Sequence, residues 1–364
     1  MAIPMISRWT VPASALAVVL SLMACQPQTS ETTTNSSPTG SSPVEGRVSL
    51  TGAGASFPAP LYQRWFSDFN KKYPNITVSY QSVGSGAGVQ QFIAGTVDFG
   101  ASDVAMKDEE MAKVSRGVLL LPMTAGGIVT AYNLPQVQTP IKLSQANLAD
   151  IFLGKITKWN DPALVKDNPE ANLPDVPIRV VHRADGSGTT GIFTQYLSAI
   201  SPEWKEKVGD GKTVSWPTGV GGKGNEGVTA QIQQTQGALG YVEYGYAQQN
   251  GLKMATLQNK AGGFIEPTPD NFKQTLSAVE LPENLRAFIT NPEGQGSYPI
   301  VSYTWILAYK QYDDPNKAKA LKAVVDFGLT EGQQVAPELG YVPLPENVVA
   351  KVENAVSAIA VASK

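Results

Sequence analysis

The sequence predicts an α/β fold built on parallel strands. An apolar, strand-like segment runs into a glycine-rich loop and then into a helix-like segment, and this order recurs around residues 52–57, 84–88 and 184–189. Strands that alternate with helices in this way pair in parallel, because each crossover needs a helix to return the chain. The 364 residues, 42% hydrophobic and 16% charged, supply ample core for one large domain or two medium ones. In such sheets ligands sit beyond the carboxyl ends of the strands, so the three loops are candidates to meet at one site.

The N-terminus stands apart from this pattern. Arg8 gives a positive start, Val11 to Met23 is a short apolar segment, and "LMAC" ends at Cys25, the only cysteine. A short apolar core with a small residue before the cut is an export signal, too short for a membrane span. The cysteine resembles that of a bacterial lipobox, although Met23 stands where a small residue is usual. That resemblance implies a lipoprotein signal peptide over 1–25 and a lipidated Cys25 thiol. Residues 26–46 are nearly all Ser, Thr, Pro, Gly, Gln and Glu, the composition of a disordered tether. The folded body is therefore expected outside the cytoplasmic membrane, lipid-anchored, and without an internal disulfide.

Along the body, "RVSLTG" starts as a strand, and the next helix places Leu61, Trp65 and Phe69 at spacings of four. "NITVSYQSV" alternates Ile76, Val78 and Tyr80, a strand with one buried face. "GSGAG" leads into the helix of "VQQFIAGT", and "VDFGASD" is an apolar strand ending at Asp103. "GVLLLPMTAGGIVTAYNL" reads as two apolar runs broken by Pro122 and by Gly126-Gly127. "PIRVVHRADGSGTTGIFTQYL" repeats strand, loop and helix. "YPIVSYTWILAYK" is a long strand, and Asp314-Pro315 opens a last helix with Leu321, Val324 and Val325 on its apolar face.

"RADGSGTT" carries the most chemistry. The first N–H groups of a helix lack intrahelical acceptors, and the dipole adds positive charge, so an anion fits there. Gly186 and Gly188 allow close backbone approach; Ser187, Thr189 and Thr190 add hydroxyls. Arg183 offers a planar fork for two oxygens of a tetrahedral oxyanion, and Asp185 is placed to hold that guanidinium. A plain capped helix behind a polar turn remains the alternative. Ser56 and Ser85 are open to the same two readings, helix cap or ligand hydroxyl, and Asp103 is a strand-end acid or a site residue.

Several chemistries are excluded. A net charge of −3 gives no basic field for nucleic acid. "GAGASF" starts like a dinucleotide fingerprint, but Phe57 stands where a third small residue is needed. "GGKGNEG", Gly221 to Gly227, lacks the Ser or Thr of a P-loop and reads as structure or contact surface. His182 is the only histidine, and no cluster of His, Cys and acids suggests a metal or another cofactor. A hydrolase using Ser187 or Ser56 would need a base beside the serine, and G-x-S-x-G is absent.

"GAGASFPAP", "GSGAGVQQ", "TVDFGASD", "LGKITKWND", "RADGSGTT", "GGKGNEGV" and "GYVEY" follow one another in this order. Over essentially the whole body the chain resembles the phosphate-binding lipoproteins and periplasmic receptors of the high-affinity phosphate ABC transporter. The resemblance implies a two-lobed, class II periplasmic-binding-protein fold with the ligand in the cleft. One lobe would hold 47–124 plus 299–364 and the other 125–298. "TAGGIVTAYN" and "YPIVSYTWILAYK" would be the two hinge crossings. It further implies an extracytoplasmic, monomeric, non-enzymatic receptor that delivers inorganic phosphate to a permease pair driven by a cytoplasmic ATPase.

Carried over residue by residue, the resemblance makes Ser56 a hydroxyl ligand and Phe57 a backbone N–H donor. Ser85 is the second hydroxyl ligand, and Asp103 accepts the phosphate's own proton. Arg183 is the guanidinium ligand, anchored by Asp185, and Ser187, Gly188 and Thr189 are donors at the last helix start. These side chains sum to −1, so oriented N–H groups and hydroxyls would have to hold the anion. Receptors for arsenate, sulfate or molybdate, and a secreted phosphatase, are the competing readings.

Overall fold

Strand β1, Val48–Gly54, is followed by helix α1, Ala59–Lys72, which buries Leu61, Trp65 and Phe69 as the spacing of four requires. Lys71 and Lys72 lie in its last turn, where cations complement the helix dipole. Strand β2, Ile76–Ser82, helix α2, Ser85–Ile93, and strand β3, Phe99–Ser102, complete the first parallel unit. Strand β4, Val118–Tyr132, leads to a second unit: β5, Arg179–Arg183, helix α3, Gly188–Ile200, β6, Val220–Gly222, helix α4, Gly224–Gln234, and β7, Ala238–Glu243. The chain returns through β8, Val301–Tyr309, into helix α5, Pro315–Leu329. Asp314 caps that helix by accepting the Asn316 N–H at 2.8 Å, with Pro315 in its first turn.

The strand order is β2-β1-β3-β8-β4-β7-β5-β6. β1 pairs in parallel with β2 and β3, and β5 in parallel with β6 and β7. The sheet is nevertheless mixed and departs from the purely parallel expectation. β8 runs antiparallel to β3 and β4, and β4 antiparallel to β7. The reason is connectivity: β4 carries the chain out of the first parallel unit and β8 brings it back, so the two must run in opposite directions.

The computed structural model describes residues 42–362, all within one packed unit. The export signal, Cys25 and the tether as far as residue 41 lie outside the described residues. The end of the expected tether packs on the body. Val44 is buried, and the Asn75 side-chain amide donates to the carbonyls of Val44 at 3.2 Å and Gly46 at 2.8 Å.

The two apolar runs expected around Pro122 and Gly126-Gly127 form a single strand of 15 residues. Pro122 has no N–H to give the ladder, and the register with β8 shifts there: Trp305 faces Pro122 while Thr304 faces Thr124. The glycines are sites of close approach instead of breaks. A Cβ on Gly127 would lie 2.3 Å from the Phe272 ring, and one on Gly126 would lie 3.0 Å from the ring of Phe57. Phe272 is fully buried on the helix Pro269–Ser277 between Tyr244 and Tyr298.

Gly127→Ala should therefore overpack the seam and lower stability by about 1–3 kcal/mol. Urea unfolding of the two proteins checks this, and an unchanged midpoint would mean that the ring yields freely.

Candidate functional site

Three strand-to-helix loops converge at the junction of the two parallel units. In the first, between β1 and α1, Ser56 and Phe57 are buried at 1% and 0% exposure. Ser56 does not cap α1, whose N-cap is Pro58 with no side-chain bond. Its Oγ instead accepts the backbone N–H of Asn225 at 3.1 Å and the Asn225 side-chain amide at 2.9 Å. The Ser56 carbonyl accepts the Tyr246 hydroxyl, and that of Phe57 the Tyr341 hydroxyl, both at 2.7 Å.

In the second loop, Ser85 is the first residue of α2, so that helix starts earlier than the sequence suggested. The Ser85 Oγ accepts the Asp103 N–H at 3.2 Å and donates to Asp103 Oδ2 at 3.3 Å. Asp103, just past β3, is no solvated strand end; it is 1% exposed. Thr304 of β8 donates to its Oδ1 at 2.9 Å, and Ser302 donates to its backbone carbonyl at 3.2 Å. Burial pushes the Asp103 carboxyl up to about 7, against the opposing pull of the Thr304 hydroxyl, the Arg183 charge and Ser85.

The third loop follows β5. Arg183 grips Asp185 with two bonds, Nε to Oδ1 at 2.8 Å and Nη2 to Oδ2 at 2.6 Å, and its Nη1 donates to Thr189 Oγ1 at 3.3 Å. Burial would raise the Asp185 carboxyl, but the guanidinium and the Gly224 N–H hold it below the usual carboxylate range. Ser187 caps α3 by accepting the Thr190 N–H at 3.0 Å. Gly188 and Thr189 take the first two helical positions, where an N–H has no intrahelical acceptor.

The loops touch one another. The Gly86 N–H donates to the Gly186 carbonyl at 2.8 Å. A Cβ on Gly188 would lie 2.4 Å from Ser85 Oγ and 2.7 Å from Asp103 Oδ2. Ser56, Phe57, Ser85, Asp103, Arg183, Asp185, Ser187, Gly188 and Thr189 thus surround one dry junction. It offers hydroxyls, free helix N–H groups and one guanidinium, with a carboxyl group at its base.

Two contributors escaped the sequence reading. Asn225 sits in "GGKGNEG", which by sequence reads only as structure or contact surface, and the Gly224 N–H beside it donates to Asp185 Oδ1 at 3.0 Å. Thr304 lies inside the largely apolar "IVSYTWILAYK", where its polarity is the available signal. His182 stacks on Trp216 with ring centroids 4.9 Å apart, and its Nδ1 lies 3.0 Å from the Arg183 carbonyl. Among the described residues no group of three or more His, Cys, Asp or Glu could hold a metal. None of their helices is long and apolar enough to cross a membrane.

This geometry can be set beside known proteins. The model of the PBP superfamily domain matches residues 28–331. A protein named phosphate-binding protein PstS from Pasteurella multocida is 50% identical over 307 residues, covering 84% of this chain and 88% of that protein. One of the same name from Haemophilus influenzae is 48% identical, over 86% and 94% of the two chains. Among solved structures, the high-affinity periplasmic phosphate-binding protein PfluDING, bound with phosphate, superposes with a TM-score of 0.68 at 19% identity, over 84% and 93% of the two chains. The chain belongs to the PBP superfamily and, within it, to the family of PstS phosphate-binding proteins.

Proposed function

We propose that the protein is an extracytoplasmic receptor that closes over inorganic phosphate and delivers it to an ABC importer. The observation that carries this reading is Asp103: a buried carboxyl group placed among donors suited to an anion. A site for any anion would dispense with it. Phosphate near neutral pH still carries a P–OH, and an ionised carboxylate accepts that proton. Sulfate has none to give and would set lone pairs against lone pairs in a dry site. Leaving such a buried partner unpaired discriminates by about 10⁴–10⁵. Arsenate carries the same proton and should bind.

The remaining ligands follow from the same geometry. The Ser56 and Thr189 hydroxyls, the Ser85 hydroxyl once its proton turns from Asp103 to the ligand, the Phe57, Gly188 and Thr189 N–H groups and the Arg183 fork would supply donors, with Asp185 keeping the fork in place. Ser187 would act through its hydroxyl proton, since its Oγ already accepts the Thr190 N–H and its own N–H is taken by the Lys212 carbonyl at 2.8 Å. Among the described residues neither Ser187 nor Ser56 gives its hydroxyl proton to a base, which favours a receptor over a hydrolase. Closure would bring 47–124 plus 299–364 against 125–298, with β4 and β8 as the two crossings. The receptor would work as a monomer, tethered to the membrane by a lipidated Cys25, and hand its ligand to a permease pair driven by a cytoplasmic ATPase.

Titration with phosphate, arsenate and sulfate, read by calorimetry and by tryptophan fluorescence, tests the reading. Micromolar or tighter binding of the first two, and none of sulfate, is expected; absence of phosphate binding would end it. Asp103→Asn should keep much of the phosphate affinity and admit sulfate. The sign of the pH effect follows from the raised carboxyl. Above about 7 Asp103 is ionised and rejects sulfate; below that value it carries a proton and can donate to it. Sulfate competition at pH 5.5 that fades by pH 8 is the expected result, and sulfate exclusion equal at both would remove Asp103 from the selectivity argument.

Gly188→Ala should press a methyl group onto Ser85 and Asp103 and weaken phosphate binding about 10- to 100-fold. Unchanged affinity would show that the third loop need not close there. Cys25→Ala should abolish labelling by radioactive palmitate and move the protein from the membrane to the soluble fraction. A variant still found on the membrane would point to another anchor.

A further inference from the structure

We infer that Asn225 is a positioning residue that forces the Ser56 and Thr189 hydroxyls to act as donors to the ligand, an inference resting on the phosphate-receptor reading. Asn225 is fully buried and touches both sides of the junction. Its Oδ1 accepts the Glu243 N–H at 3.0 Å. A backbone N–H can only donate, so this bond fixes which way the amide is turned. The Nδ2 hydrogens must then face the two hydroxyls, Ser56 Oγ at 2.9 Å and Thr189 Oγ1 at 3.4 Å.

Each hydroxyl receives a second donor. The Asn225 backbone N–H reaches Ser56 Oγ at 3.1 Å, and Arg183 Nη1 reaches Thr189 Oγ1 at 3.3 Å. A hydroxyl oxygen has two lone pairs and one proton. With both lone pairs engaged, only the proton is left to offer, and among the described residues neither hydroxyl has an acceptor. Facing an anion, that is the difference between attraction and repulsion. Ser56 and Asn225 come from opposite sides of the proposed cleft, so Ser56 acquires this fixed direction only when the cleft is shut. Asn225 thereby makes part of the anion affinity conditional on closure.

The experiment is a double-mutant cycle read by phosphate calorimetry on the full chain: wild type, Asn225→Ala, Asn225→Asp, Ser56→Ala and each Asn225 change combined with Ser56→Ala. Asn225→Ala should weaken binding about 10- to 100-fold. Asn225→Asp keeps the shape but replaces the donor by an acceptor that captures both hydroxyl protons, so it should weaken binding further. In the Ser56→Ala background each change should cost markedly less, because one of its two targets is gone. Melting temperatures of the ligand-free variants separate this role from packing. If Asn225→Ala does not fold, the isosteric Asn225→Asp carries the same comparison. Losses that add with Ser56→Ala, or equal affinities for the Ala and Asp variants, overturn the inference while wild-type binding keeps the receptor reading intact. A wild type that fails to bind phosphate removes both.

Discussion

Asp103 is sealed from water, and the Arg183 guanidinium is already gripped in two places by Asp185. The side chains of the junction therefore carry more negative than positive charge. An anion brought there cannot be held by net charge, and burial makes each unpaired polar group costly. The remaining resources are neutral dipoles: hydroxyls, main-chain N–H groups and the start of a helix. They hold an anion well only if the site fixes their orientation around it and water is kept out. The other features of the site can be read as ways to meet those two conditions.

Orientation is supplied by bonds that engage the acceptor side of each hydroxyl. The Asp103 N–H engages Ser85, and Asn225 engages Ser56. Exclusion of water comes from the close approach of loops through glycine. Gly84, at φ +88°, adopts a backbone that side chains disfavour, and a Cβ there would lie 2.3 Å from Asp185 Oδ2. The sheet makes the convergence possible. Both parallel units direct the carboxyl ends of their strands to the seam, where β4 and β8 run side by side. Thr304 reaches Asp103 from that seam, so the carboxyl group is held by the element that joins the units.

Much of this was legible in the sequence because local chemistry repeats. Leu61, Trp65 and Phe69 announced α1, and Asp314-Pro315 announced the start of α5. "RADGSGTT" gave the Arg183–Asp185 pair and the helix start directly, since residues two apart in a loop can meet without knowledge of the fold. Ser56, Ser85 and Asp103 were ambiguous on their own residues, because a cap and a ligand look alike until the partner is known. The family resemblance chose among those readings. Pro122 and Gly126-Gly127 misled for a physical reason: both are breakers in an isolated strand, yet here a register shift absorbs the proline and aromatic rings need the glycines. Asn225 and Thr304 were silent because their partners lie 169 and 201 residues away in sequence.

In the proposed two-lobed receptor, closure would be reinforced at the rim by bonds of a different kind. Lys212 pairs with Glu110 at 2.9 Å and Arg286 with Asp108 at 2.6 Å; Asp108 is exposed and the other three side chains are partly so, which leaves both pairs open to screening by salt. Lys212 also accepts the Ser187 N–H on its backbone carbonyl at 2.8 Å, so one residue ties the rim to the cap of α3. The division follows from desolvation. Paired charges at the edge keep part of their hydration and would separate at less cost if the cleft opened. The same pairs at the centre would lose that hydration and bind the two sides to each other in place of the ligand. A receptor that must both seize an anion and release it is served by weak ionic contacts outside and oriented neutral donors within.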